Sequence, residues 1–171
     1  HEGVRGTAEV SLADGGSSDR GIPLAEAAGA RVVRSAPGRG VQLRRGAEAA
    51  SGDWLLFLHP DTMLGRDWHA AVASHTATDT DKAGCFRFRL ADAAWQARLV
   101  ERAVAARVAL FGLPYGDQGL LIPRALYEAV GGYRPLPLME DVDLVRRIGR
   151  HRLAVLAETA TTSAERWRRD G

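Results

Sequence analysis

Apolar residues recur along the chain with two periods, and the switches between those periods mark alternating strands and helices. Residues 9–13 predict a short strand running into the turn Asp14-Gly15-Gly16-Ser17-Ser18-Asp19. A helix follows to Ala28, with Gly29 as its stop. Val32 and Val33, β-branched and set between turn signals, predict a strand over 30–34. Pro37-Gly38-Arg39-Gly40 forms a loop, and a helix over 41–50 ends before Gly52. Trp54-Leu55-Leu56-Phe57-Leu58 is a continuous apolar run, the pattern of a strand covered on both faces. Strand–helix–strand alternation of this kind implies parallel strands with right-handed crossovers.

The second half is less regular. Helices are expected over 66–75, 93–110, 124–130 and 140–149, and strands over 84–90, 120–122 and 153–157. In the long helix, Leu99, Val100, Ala103, Val104 and Val108 follow a period near 3.6, and Arg98, Arg102 and Arg107 lie beside them. Packing on the sheet with the arginines in solvent is the simpler reading of that helix; an anionic lipid surface or a partner subunit is the other. No repeat or linker interrupts the chain, so 1–171 reads as a single α/β domain. Its expected architecture is Rossmann-like: a mostly parallel central sheet flanked by helices.

Composition narrows the classes. With 171 residues, 46% hydrophobic and 26% charged, the chain suits one globular domain. No apolar run nears the ~18 residues needed to span a bilayer, and no signal-peptide pattern opens the sequence. Cys85 is the single cysteine, which excludes an internal disulfide and fits a reducing compartment, so a cytoplasmic location is expected. Arginine supplies nearly all positive charge, Lys82 being the one lysine. Guanidinium suits phosphate recognition, although GC-rich coding explains the bias equally well. Aromatics are sparse and not interleaved with basic runs, which argues against nucleic acid as a partner.

Three segments carry chemistry. In Leu58-His59-Pro60-Asp61-Thr62, Asp61 follows an apolar strand, where the ligand crevice of an α/β sheet lies. One carboxylate together with diphosphate oxygens suits Mg²⁺ or Mn²⁺; a turn or helix cap is the plain alternative, and His59 is more readily a packed residue than a ligand. In the loop from Asp14 through Gly15, Gly16 and Ser17, glycines let backbone amides approach an anion at a helix start, unless the segment is an ordinary turn with a serine cap. Finally, Met139-Glu140-Asp141-Val142-Asp143 puts three carboxylates in one first helical turn, after the irregular approach Gly131-Gly132-Tyr133 and Pro135-Leu136-Pro137. Dipole complementation alone would account for the acids. The rigid approach suggests in addition a carboxylate aimed at a site, as proton removal from a hydroxyl requires.

These segments, in this order, resemble glycosyltransferase family 2, inverting enzymes of the GT-A fold. The resemblance runs from Glu9 to Gly171 and rests on EVSLADGGSSD, GRGVQLRRGAEAASGDWLLFLHPDT, YGDQGLLIPRALYEAVGGYRPLPLMEDVDLVRRI and ERW. It implies a nucleotide-sugar donor, most simply a UDP-sugar, held by a half spanning about 9–65, and a hydroxyl acceptor on a half spanning about 66–171. Asp14 would lie at the nucleoside, with Gly15, Gly16, Ser17, Arg39 and His59 also on the donor side. Asp61 would bind the metal, and Asp141 would be the base in a pair with Glu140. Asp117, Gln118, Arg166 and Trp167 would face the acceptor. LFLHPDT, YGDQG and PLMEDVDL look most like a branch associated with arsenosugar biosynthesis.

Departures from the family pattern are specific. Nothing before Glu9 matches the family's opening strand and its Asn-containing loop. Gly15 stands where many members carry a second acid, and His59 replaces the first acid of D-x-D. Ser163 takes the place of the glutamine of Q-x-x-R-W, which argues for a non-processive enzyme. A catalytically dead or truncated nucleotide-sugar-binding module is one alternative. A nucleotidyltransferase is another, but the Gly-rich, basic loop expected after its first strand is missing.

Overall fold

A computed structural model describes residues 8–17 and 20–163. Strands β1 (Ser11–Asp14) and β2 (Arg31–Arg34) pair in parallel across helix α1 (Gly21–Ala27), with Asp14 opposite Arg34. Helix α2 (Arg39–Ala49) packs on both strands and leads into β3 (Trp54–Phe57). The expected order β–α–β–α–β is therefore present.

Pairing departs from the parallel expectation beyond that point. A second sheet of five strands runs β3-β6-β5-β7-β4, with β4 at Thr62–Leu64, β5 at Ala83–Leu90, β6 at Leu120–Pro123 and β7 at Leu153–Thr162. Only β5 and β7 are parallel in it; β6 runs against β3 and β5, and β4 runs against β7. The physical reason lies in the connections. Parallel neighbours need a crossover of a dozen or more residues, which β5 and β7 have in the connection 91–152; β3 and β4, joined by a tight turn closed by the Thr62 N–H on the His59 carbonyl at 3.0 Å, stand at opposite edges and do not pair. The sheet is thus mixed, with helices α3 (Trp68–Thr78), α4 (Trp95–Phe111), α5 (Arg124–Ala129) and α6 (Glu140–Ile148) packed around it.

The apolar run of β3 is covered on both faces, as its composition implied. Leu55 and Phe57 join Ala47, Tyr127, Tyr133 and Leu144 in one cluster. Trp54 and Leu56 point the other way, onto Phe86, Leu121 and Leu156 with Trp68 and Val72 of α3. Each buried Leu or Phe is worth roughly 1.5–3 kcal/mol, so a one-residue slip that exchanged these faces would be costly. The β5–β7 register slips between Cys85 and Arg87, where β7 runs from Val155 to Thr159 against only two steps of β5. Phe86 packs under α3, while Phe88 and Leu90 pack against Ala97 and Val104 of α4.

Helix α4 differs from its predicted stripe. Val104 and Val108 are buried with Ala97, but Leu99 and Ala103 face outward. The helix stops at Gly112, whose left-handed φ of 61° lets its N–H bond the Val108 carbonyl at 2.8 Å. No helix among the described residues is long and apolar enough to cross a membrane.

Candidate functional site

The loop after β1 is held by Asp14. Its carboxylate accepts the Gly16 N–H at 3.1 Å and the Ser17 N–H at 2.9 Å. The Ser17 backbone and side-chain bonds are the main reason its carboxyl lies below the usual range. Gly15 lies under Gln42 of α2: a Cβ there would stand 2.9 Å from the Gln42 side chain, whose amide donates to the Ala13 carbonyl at 3.2 Å. Gly15 and Gln42 thus fit one another. Gln42 carries no motif signature; its place one helical turn after Arg39 is the only sequence hint.

Beyond β3, the side chains of His59 and Asp61 converge, Nδ1 of the histidine meeting Oδ1 of the aspartate. Both are part-exposed. Sequence reasoning leaves His59 more readily a packed residue than a ligand; in the fold it shares Asp61's direction.

Across the site, α6 begins at Met139, a non-glycine residue with φ 62°. Such a conformation costs of order 1–3 kcal/mol and persists where the surroundings impose it. The three acids that follow go to three different places. Glu140, 1% exposed, lies against Arg39, with its Oε1 3.1 Å from Arg39 Nε in an ion-pair contact. Asp141 accepts the Gly116 N–H at 2.6 Å on Oδ2 and the Val142 N–H at 2.8 Å on Oδ1. Asp143 is taken up by Arg147 at 2.6 Å and Arg134 at 3.2 Å. Arg147 also bonds the Val130 and Gly132 carbonyls, clamping the Gly-Gly-Tyr approach to α6.

Asp117 follows Gly116, whose N–H holds Asp141, and its carbonyl accepts from the Thr162 hydroxyl at 3.5 Å. Burial pushes its carboxyl above the usual range; the charges of Arg107, Asp141 and His59 also act on it. Its Oδ1 is buried without a hydrogen bond among the described residues. Gln118, 2% exposed, donates to the Phe86 carbonyl at 3.0 Å and accepts from Arg107 at 3.4 Å, so its amide is committed to the frame of the site. Arg107 stacks over Tyr115 at 3.5 Å and donates to the Leu113 carbonyl. Tyr133, buried under the α6 start, has its hydroxyl pKa raised by burial first and then by Asp141. The sequence marks Arg107 only as one arginine of the long helix and Tyr133 only as part of the approach to α6. Arg166 and Trp167 lie outside the described residues.

The family model for glycosyl transferase family 2 matches residues 5–130, a span that holds Asp14, Asp61 and Asp117 and ends before Asp141. Among solved structures, glucosyl-3-phosphoglycerate synthase from Mycobacterium tuberculosis, in complex with Mn²⁺, UDP and glucosyl-3-phosphoglycerate, superposes with a TM-score of 0.63 at 20% identity. The match covers 91% of this chain and 59% of that one. TarS 1–349 of S. aureus in complex with UDP-GlcNAc gives a TM-score of 0.68 at 14% identity, over 91% of this chain and 49% of the other. This chain therefore spans about half to three-fifths of the length of these structures. No curated protein sequence matches it.

Proposed function

The chain belongs to glycosyltransferase family 2, and on that footing we propose that it moves a sugar from a nucleoside diphosphate donor to an acceptor hydroxyl, inverting the anomeric centre. The observation that carries this reading is the set of contacts through Gly116 and Asp117: the Gly116 N–H donates to Asp141 at 2.6 Å, and the Asp117 carbonyl accepts from Thr162, whose hydroxyl lies 3.4 Å from that of Thr62, next to Asp61. On this reading the metal-binding end and the basic end serve one bound sugar.

Asp141 is the proposed base. Its two N–H donors fix its orientation, and each carboxylate oxygen keeps a lone pair for an incoming hydroxyl. As the acceptor oxygen forms its bond to C1, the C1–O bond to diphosphate breaks and the diphosphate departs with the electron pair. The hydroxyl proton passes to Asp141. A single displacement of this kind turns an α-linked donor into a β-linked product. Glu140 is assigned a supporting role: it holds Arg39 beside Asp141, with Arg39 Nη2 and Asp141 Oδ2 flanking the space where a Cβ on Gly116 would stand, at 3.1 and 3.4 Å.

His59 and Asp61 are the residues suited to a divalent cation. Among the described residues no group of three or more His, Cys, Asp or Glu is arranged to hold one, so diphosphate oxygens and water must complete the shell, the usual arrangement for Mg²⁺ and Mn²⁺. A cation bound there would neutralise charge on the departing diphosphate. The Mn²⁺ and UDP present with the mycobacterial synthase, and the UDP-GlcNAc present with TarS, support a divalent metal and a UDP-sugar. Ser163 in place of the family's glutamine supports single transfers over processive polymerisation. The lone Cys85, buried and with its thiol pushed up to about 12 by burial, fits a cytoplasmic setting. The likeness of LFLHPDT, YGDQG and PLMEDVDL to the arsenosugar-associated branch supports placing the chain there.

The test is nucleoside diphosphate release across the common nucleotide-sugars, in wild type and in Asp141→Asn. The variant keeps shape and removes basicity, so turnover should fall ~10²–10⁴-fold with donor affinity little changed. Near-normal turnover, or retained configuration by NMR, would overturn the assignment.

A further inference from the structure

Helix α4 has two apolar faces, and only one is used by the fold. Ala97, Val104 and Val108 are buried against β5. Roughly opposite them, Trp95, Leu99, Ala103, Ala106 and Leu110 fall within about 80° of arc at 100° per residue, and all five are exposed. Trp95 is 68% exposed and Leu110 63%, so the strip runs nearly the full length of the helix. No charged residue interrupts it. A helix apolar on opposite faces is normally covered on both.

One flank of this strip is basic. Between α4 and the sheet lies a cavity of about 450 Å³, floored by Phe88, Val104 and Val108 and rimmed by Arg87, Arg98 and Arg102. Glu101 is the one acid lining it, and it already accepts from Arg98 at 2.6 Å and from the Leu90 N–H at 3.0 Å. Arg102 is exposed and makes no ion pair among the described residues. Arg87 acts on Glu158, but that carboxylate is held mainly by the Thr159 and Asp67 N–H groups. The rim keeps an excess of positive charge.

We propose that this face of α4 docks on a membrane surface carrying anionic phospholipid, with Trp95, Leu99 and Leu110 entering the interface and Arg87 and Arg102 meeting lipid phosphates. Charge complementarity selects the occupant. A second copy related by a two-fold axis would bring the same arginines face to face with no free acid between them. A phospholipid surface instead offers phosphates to the guanidinium forks beside an apolar layer for the strip. The proposal is independent of donor chemistry, and its test contains no nucleotide.

The experiment is flotation of the chain with phosphatidylcholine vesicles, with and without phosphatidylglycerol, at low and high salt. Binding should require phosphatidylglycerol and weaken with salt. Arg87→Gln and Arg102→Gln should each lower partitioning roughly fivefold, and Trp95→Ser with Leu99→Ser should lower it by roughly tenfold or more. These side chains are exposed, so unchanged circular dichroism and urea midpoint will show that the variants fold. Absence of vesicle binding, binding blind to phosphatidylglycerol, or variants that bind like wild type would each overturn the proposal. So would light scattering that shows a dimer abolished by Leu99→Ser in a chain that ignores vesicles.

Discussion

Arg39 and Glu140 join the starts of two helices that lie far apart in sequence: Arg39 Nε stands 3.1 Å from Glu140 Oε1, at the first residues of α2 and α6. The carboxylate is almost wholly buried and the guanidinium about half exposed. A buried carboxylate needs a partner, so this contact fixes where α6 begins and hence where Asp141 points. Arg39→Ala should lower stability by about 1–3 kcal/mol, the cost of leaving such a group without its partner. Glu140→Gln, which removes the buried charge itself, should cost less. Urea midpoints of the two variants check the order, and the reverse order would show that the ion pair is not what α6 depends on.

The same junction is closed by Gly40. A Cβ at that position would overlap the Arg134 carbonyl oxygen and crowd Leu136, both backbone and unable to step aside. Gly40→Ala should therefore destabilise by about 1–3 kcal/mol through overpacking and lower turnover by moving the α6 approach. Gly46→Ala is the control, since its Cβ would meet only Ala13 at an ordinary 3.5 Å. Equal urea midpoints for the two variants would remove the argument.

Asp61→Ala should abolish metal-dependent binding of UDP while leaving the urea midpoint near that of wild type. Asp61 lies in the turn between β3 and β4, and among the described residues its carboxylate bonds only the neighbouring His59. His59→Ala should weaken the same binding to a smaller degree, because the carboxylate is the harder ligand. Titration calorimetry of UDP with and without Mn²⁺ separates the two; an Asp61→Ala protein with wild-type, metal-dependent affinity refutes the site.

Asp14 predicts a pH signature. Its carboxyl is lowered below the ordinary 3.8, chiefly by the Ser17 N–H. A lowered folded-state value means that the charged form stabilises the fold above the unfolded value, and that this stabilisation fades as pH falls through the folded one. Below about pH 4, wild type should lose stability faster than Asp14→Asn, and above that the two curves should run parallel. Donor affinity should fall in Asp14→Ala, because the amides of the Gly16–Ser17 turn lose their anchor. Parallel curves at all pH values would show that Asp14 is not ordering the loop.

Much of the fold could be read from local pattern. The five-residue apolar run of β3 announced a strand covered on both faces, and Leu55 and Leu56 do enter different clusters. Asp14 at the end of β1, Asp61 just past β3 and the acidic start of α6 were placed by periodicity and turn residues, which depend on near neighbours. The tertiary structure decided what depends on distant ones. Thr62-Met63-Leu64 becomes a strand only because β7 arrives beside it a hundred residues later, with Thr62 opposite Thr162. The mixed direction of the large sheet, the extra residues of β7 opposite Cys85–Arg87, and the outward face of Leu99 follow from partners that no local window contains. So does the sorting of three adjacent acids. In the sequence Glu140, Asp141 and Asp143 are near-equivalent, and what separates them is the arrival of Arg39, Gly116 and Arg134 from other parts of the chain, since a carboxylate's role is set by the charges and N–H groups that packing brings to it.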